Sequence, residues 1–138
     1  MIERLAFVTV YVEDQDDALD FYTNTLGFVP REDTEVAPGV RWVTVTPWAQ
    51  TEVAIALEKP HDEFHGPETA ARMRAQIGNA TPWAYVVHDC RGTIEQLAEG
   101  NVTIRQQPAE RLFGLEAVIE DLYGNPLVLV EPDEDEAE

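Results

Sequence analysis

At 138 residues and 44% hydrophobic content, the chain is long enough to bury the core of one folded domain and too apolar for a disordered one. Its 9 Lys and Arg against 27 Asp and Glu leave a net charge of −18, which excludes nucleic acid and anionic membrane as partners, since phosphate binding needs clustered cations. No apolar run approaches a membrane span, the first residues lack a secretion signal's basic start and long apolar stretch, and the single Cys90 allows no internal disulfide, so a cytoplasmic protein is expected.

Residues 8–12 (VTVYV) are β-branched and aromatic and predict a strand. Asp14 then stands where a helix N-cap belongs, with Asp16 and Asp17 in the first turn, where the macrodipole favours acids. Ala18, Leu19, Tyr22 and Leu26 recur at helical spacing, and Gly27 offers the left-handed exit. Strands are predicted over 28–36, 40–46 and 52–58, with turns at Pro38-Gly39 and over 47–50. Residues 60–80 form a joint, irregular at first and then a short helix over 69–77 ended by Gly78-Asn79. A strand over 82–88 follows, then a helix capped by Asp89, with Ile94 and Leu97 inward and Gly100 as its stop. Further strands are predicted over 102–107, 113–120 and 126–130, the last two joined by the hairpin loop 121–125, DLYGN. The acidic tail 132–138 is expected to be disordered.

The second half repeats the first. Val87-His88-Asp89 echoes Val12-Glu13-Asp14, and Ile94, Leu97 and Gly100 stand where Leu19, Tyr22 and Gly27 stood. The chain therefore reads as two β-α-β-β-β modules, about 1–59 and 81–131, in a single domain 1–131.

Three stretches resemble a known family. Val12-Glu13-Asp14 with Ala18-Leu19-Asp20-Phe21-Tyr22 and Leu26-Gly27-Phe28 is similar to the V-x-D…A-x-x-FY…LGF opening of the vicinal oxygen chelate superfamily, closest to its glyoxalase/bleomycin-resistance group. Residues 121–127 (DLYGNPL) resemble its closing DPxGN hairpin, with Leu122 in place of the usual proline, and Val87-His88-Asp89 is a weaker third match. The resemblance implies an α+β fold in which two βαβββ modules form a curved eight-stranded mixed sheet around a cavity, and a homodimer. It leaves the chemistry open, because the superfamily contains lyases, isomerases, dioxygenases, thiol transferases and metal-free binding proteins.

Enzymes of that family hold a divalent metal on inward strand positions. The matching positions here are Phe7, Pro82, Ala54 or Ala56, and Val128. A divalent ion needs nitrogen or oxygen donors within about 2.0–2.6 Å, which none of these side chains supplies. No cofactor is therefore expected. His61 and His65 have i, i+4 spacing and offer a weak alternative metal pair, set against a solvated loop with two histidines. His88, Asp89 and Cys90 are adjacent, but Asp89 is explained as a cap and neighbouring strand residues face opposite ways, so no catalytic residue is assigned.

Alternation sets Val8, Val10 and Val12 against the helix and turns Phe7, Thr9 and Tyr11 toward the cavity, with Trp42, Thr44 and Thr46 sharing one face of the third strand. Such a wall suits an organic ligand held by stacking and a few hydrogen bonds, or simply fills a core. Glu116 and Glu120 read first as solvent-facing and second as carboxylates near the same mouth. The net acidity reads first as solubility or salt adaptation, in keeping with Lys59 as the only lysine, and second as attraction for a cationic ligand. The leading functional reading is a metal-independent small-molecule binding protein that sequesters an aromatic, and by its charge a cationic, ligand. The cavity residues are Phe7, Thr9, Tyr11, Trp42, Thr44, Thr46, Ala54, Ala56, Pro82 and Val128. The alternative is an enzyme of the same superfamily with a relocated metal or acid–base site; the third is a structural dimer with a collapsed cavity.

Overall fold

The computed structural model describes residues 1–133. The chain divides into two compact units, Met1–Ile77 and Gly78–Glu138, each built on its own four-stranded sheet. In the first unit β1 (Phe7–Tyr11), β2 (Val29–Ala37), β3 (Val40–Thr46) and β4 (Ala54–Glu58) lie in the order β1-β4-β3-β2, with β1 parallel to β4 and the other pairs antiparallel. In the second, β5 (Ala84–Val86), β6 (Ile104–Arg111), β7 (Gly114–Glu120) and β8 (Pro126–Pro132) repeat that order as β5-β8-β7-β6, again with the first and last strands parallel. The internal repeat is thus one of topology, and the eight expected strands are divided between two hydrogen-bonded sheets.

The first helix begins as its sequence dictates: Asp14 accepts the Asp17 amide at 2.9 Å and caps α1 (Gln15–Asp20). Over Phe21–Thr25 the helix widens into a π turn, the Leu26 amide donating to the Phe21 carbonyl at 3.1 Å. Tyr22 is thereby buried, with its ring edge-on to Phe21 and Phe28. Gly27 leaves at φ +79° as expected. α1 packs on β3 and β4, and Val10, Val12, Val43, Val45, Ile55 and Leu57 form the core beside Ala18 and Tyr22. Buried Gln15 fastens the helix down, its amide donating to the carbonyls of Arg41 at 3.0 Å and Leu57 at 2.9 Å.

The joint belongs to the first unit as far as Ile77. Its expected irregular start contains the one-turn α2 (Asp62–His65), and α3 (Pro67–Ala75) begins two residues before the predicted 69 because Pro67 opens it, a position where the missing N–H costs nothing. Arg74 of α3 pairs with Asp62 at 2.8 Å.

In the second unit Asp89 caps α4 (Cys90–Glu99) through the Gly92 amide at 3.0 Å, matching Asp14. The exit differs from expectation. Gly100 stays at φ −84°, and Asn101 takes the left-handed position at φ 64°, with the Val102 amide closing on the Leu97 carbonyl at 3.0 Å. Asparagine is the residue other than glycine that tolerates this geometry. β6 runs to Arg111, past the predicted 107, with register shifts on either side of Gln106 that accommodate Pro108. β8 runs through Pro132, and the Asp133 amide donates to Phe113 at 2.9 Å, so the sheet reaches into the expected tail; residues 134–138 lie outside the described residues. Ala117, Ile119, Leu127 and Leu129 face Cys90, Ile94 and Leu97 in this core.

Candidate functional site

Partners across a ladder share a face of the sheet. Phe7 pairs with Ala54, Thr9 with Ala56 and Tyr11 with Glu58; Ala56 pairs with Thr44, Thr44 with Glu32, Trp42 with Thr34, and Thr46 with Val29. The register therefore collects Phe7, Thr9, Tyr11, Trp42, Thr44, Thr46, Ala54 and Ala56 on the face of the first sheet that turns away from α1. Pro82 and Val128 belong to the second unit, where Val128 pairs with Ala84 and Val118 and Pro82 precedes β5.

The face has a distinct construction. Ala56, the smallest side chain at its centre, is fully buried together with Thr44. Phe7 stands toward one end of the face and Trp42 toward the other, yet their rings meet edge-to-face with centroids 4.9 Å apart. Both side chains must lean across the face to do so. Phe7 itself remains 42% exposed.

Two carboxylates complete the face, and both escaped the sequence reading. Glu58 accepts from the Thr9 hydroxyl at 2.6 Å, and Glu32 accepts from the Trp42 indole at 3.2 Å and the Thr44 hydroxyl at 3.4 Å. Glu58 was legible, since it lies two residues after Ala56 in one strand. Glu32 was not, because the β2–β3 register passes through two shifts. At the far end of the face Arg31 donates to the Thr46 hydroxyl at 2.9 Å. Partial burial and then the nearby Glu58 charge raise the Tyr11 phenol above its ordinary pKa, so it stays a neutral hydrogen-bonding group.

The residues at the family's metal positions do not fit a divalent ion. Phe7 is engaged with Trp42, Ala54 and Ala56 carry only methyls, and Pro82 and Val128 offer no side-chain donor. Among the described residues no three His, Cys, Asp or Glu converge as a ligand group. His61 and His65 stack with ring centroids 6.1 Å apart, and His65 Nδ1 lies 3.0 Å from the amide of His61, which precedes α2, and accepts its proton. His61 Nε2 is buried without a hydrogen-bond partner, and burial followed by the Lys59 charge lowers that imidazole's pKa. Cys90 is fully buried, and burial first and Glu131 second push its thiol pKa up, the reverse of what a nucleophile needs. The Asp121–Asn125 loop is likewise structural: Asp121 accepts from the amides of Tyr123 and Asn125 and from the Asn125 side chain, and Asn125 in turn accepts the Ala80 amide.

Glu116 and Glu120 share a face of the second sheet with Val118, Val128 and Val130 and are partly buried. Each meets an arginine: Glu116 pairs with Arg111 at 3.4 Å and also accepts from the Gln106 amide at 3.3 Å, and Glu120 pairs with Arg105 at 3.0 Å. A separate cleft of about 300 Å³ lies past the ends of β1 and β4, lined by Glu13, Lys59, Pro60, Arg74 and Ile77, and none of the residues expected from the sequence lines it.

Comparison with known proteins places this architecture. YurT of Bacillus subtilis (strain 168), itself uncharacterised, is 30% identical over 129 residues, covering 93% of this chain and 98% of that protein. The crystal structure of UcmS2 superposes with a TM-score of 0.82 at 38% identity, covering 95% of this chain and 99% of that one. TnmS3, an antibiotic binding protein from Streptomyces sp. CB03234, shares the fold with a TM-score of 0.77 at 24% identity over 96% of this chain and 98% of its own. The model of one family matches residues 4–129, nearly the whole described chain, and the βαβββ repeat, the capped first helix and the closing Gly-Asn hairpin are where the sequence resemblance required them. The chain belongs to the Glyoxalase/Bleomycin resistance protein/Dioxygenase superfamily.

Proposed function

We propose that this protein is a metal-independent small-molecule binding protein that sequesters an aromatic ligand, cationic where charge enters, and that it works as a cytoplasmic homodimer. The observation that carries the reading is the face of the first sheet, which the Phe7–Trp42 ring pair shares with the small Ala54 and Ala56 and where Thr9, Thr44 and Tyr11 supply hydroxyls. Offset and edge-to-face rings recognise flat organic groups, and scattered hydroxyls orient them. Sequestration asks for no nucleophile, base or metal, which agrees with a raised Cys90 thiol and non-coordinating side chains at the family's metal positions. TnmS3 shows that this fold is compatible with holding an antibiotic. Val86, 73% exposed beside Val128 and Val130 on the second sheet, supports self-association as a way of covering apolar surface.

A thermal-shift screen of flat aromatic compounds tests this reading. Dose-dependent rises in the midpoint are expected, lost in Trp42→Ala but unchanged after exhaustive chelation. A stoichiometric transition metal whose removal destabilises the protein, or a panel with no stabilising compound, would overturn it. Sedimentation equilibrium tests the dimer.

A further inference from the structure

The carboxylates of the two sheets are treated differently. In the second sheet Glu116 and Glu120 each meet an arginine. In the first sheet Glu32 and Glu58 meet only neutral donors: the Thr9 and Thr44 hydroxyls and the Trp42 indole. Among the described residues neither carboxylate forms an ion pair; the first unit's pairs join Arg41 to Asp16 and Asp33, and Arg74 to Asp62. Arg31, next to Glu32 in β2, donates to Thr46 at the other end of the face. Neutral donors fix the two carboxylates in place without cancelling their charge.

Their surroundings say what they await. Tyr11 pairs with Glu58 in the ladder, and Trp42 and Glu58 each stand two residues from the Thr44–Ala56 pair, toward the same end of the sheet. One cross-strand row therefore reads Thr34, Trp42, Glu58, Tyr11, which places Glu58 between two aromatic residues in the ladder. The neighbouring row reads Glu32, Thr44, Ala56, Thr9. A positively charged nitrogen is attracted both by ring faces and by a carboxylate, and this combination is the one that selects organic cations over neutral molecules of the same shape.

We propose that the first-sheet face selects a flat organic cation. The ligand's ring lies against Trp42 where the Phe7 ring now packs, and its cationic nitrogen sits between Trp42 and Tyr11 against Glu58, with Glu32 holding the indole in position. This deepens the reading of the protein as an aromatic binder and rests on it. Glu58 is the specificity-determining residue, and Phe7 moves when the ligand enters.

Isothermal titration of the full chain with N-methylacridinium, and with its uncharged parent acridine under mildly alkaline conditions, tests the proposal. The cation is expected to bind at least about tenfold more tightly, with an affinity that falls as salt is added. In Glu58→Gln, which keeps an acceptor for Thr9, the preference is expected to shrink to about twofold or less, while acridine binds as before and the thermal midpoint of the free protein is kept. Trp42 emission should change on binding in both proteins. Equal binding of the two probes, or a cation preference that survives Glu58→Gln, overturns the proposal and leaves the aromatic reading standing. Binding of neither probe, with no stabilising compound in the thermal-shift panel, overturns both.

Discussion

The Thr9 hydroxyl donates to the Glu58 carboxylate at 2.6 Å across the parallel strands β1 and β4, and among the described residues it is the one side-chain hydrogen bond fixing that carboxylate on the sheet face. Thr9→Val keeps the shape and removes the donor. A stability loss of about 1 kcal/mol is expected in urea unfolding, since a partly buried acceptor loses its partner but keeps access to water. A loss above about 3 kcal/mol would mean that Thr9 serves the core rather than the face.

Gln15 carries a heavier structural duty. Its single amide satisfies two backbone carbonyls, those of Arg41 and Leu57, in a buried place. Gln15→Ala strips both of their partner at once, and a cost of about 3 kcal/mol is expected, read as a lowered urea midpoint with an unchanged slope.

Two glycines separate backbone strain from crowding. Gly27 (φ +79°) has open space where a Cβ would stand, whereas at Gly78 (φ +84°) a Cβ would lie 2.6 Å from the Tyr123 carbonyl oxygen. Gly27→Ala should cost about 1–2 kcal/mol from the left-handed conformation alone. Gly78→Ala should cost at least about 1 kcal/mol more, because the hairpin loop has to shift. Equal losses in thermal unfolding would show that the loop yields freely.

Acid stability should depend on Asp33. The Arg41 hydrogen bond holds its carboxyl below the usual carboxylate range, so folding gains from the ionised form. That gain is present above the ordinary aspartate pKa and is lost as pH falls through the lower, folded value. Asp33→Asn should flatten the acid arm of the stability profile by less than about 1 kcal/mol, since the pair is open to solvent. An acid arm steeper than wild type would contradict the assignment.

Cys90 should be chemically quiet. Its thiol is raised mainly by burial, so its contribution to stability is complete below the ordinary thiol pKa and is lost as pH rises through the folded value. A disulfide reagent is expected to react with the folded protein far more slowly than with a urea-unfolded sample, tracking the open population. Rapid modification without unfolding would show an accessible thiol.

Much of the fold was legible because its signals are local. Asp14 and Asp89 announce their helices through one carboxylate and one amide each, and alternation in β1 sorts Val10 and Val12 from Phe7 and Thr9. What the sequence hid depends on distant partners. Asn101 took the left-handed turn from Gly100 because the closing bond runs from Val102 to Leu97, and Gln15 gave no sign that two strands would lean on it. The candidate face was recognised by its rings and hydroxyls, but Glu32 entered it only through the bulged register of β2, which alternation does not foretell. The closeness of Phe7 to Trp42 follows from how far the two side chains lean, a tertiary property with no signature in spacing.

β2 lies outermost in its sheet, exposed along almost its whole length, with Pro30, Arg31, Glu32, Asp33 and Glu35 along it and irregular pairing near both ends. A proline has no N–H to offer an incoming chain, and successive charges repel a copy of themselves. The strand that brings Glu32 to the candidate face therefore also makes the molecule a poor template for stacking its own kind, so a crowded, long-lived pool of this protein should resist growing into fibrils from that side.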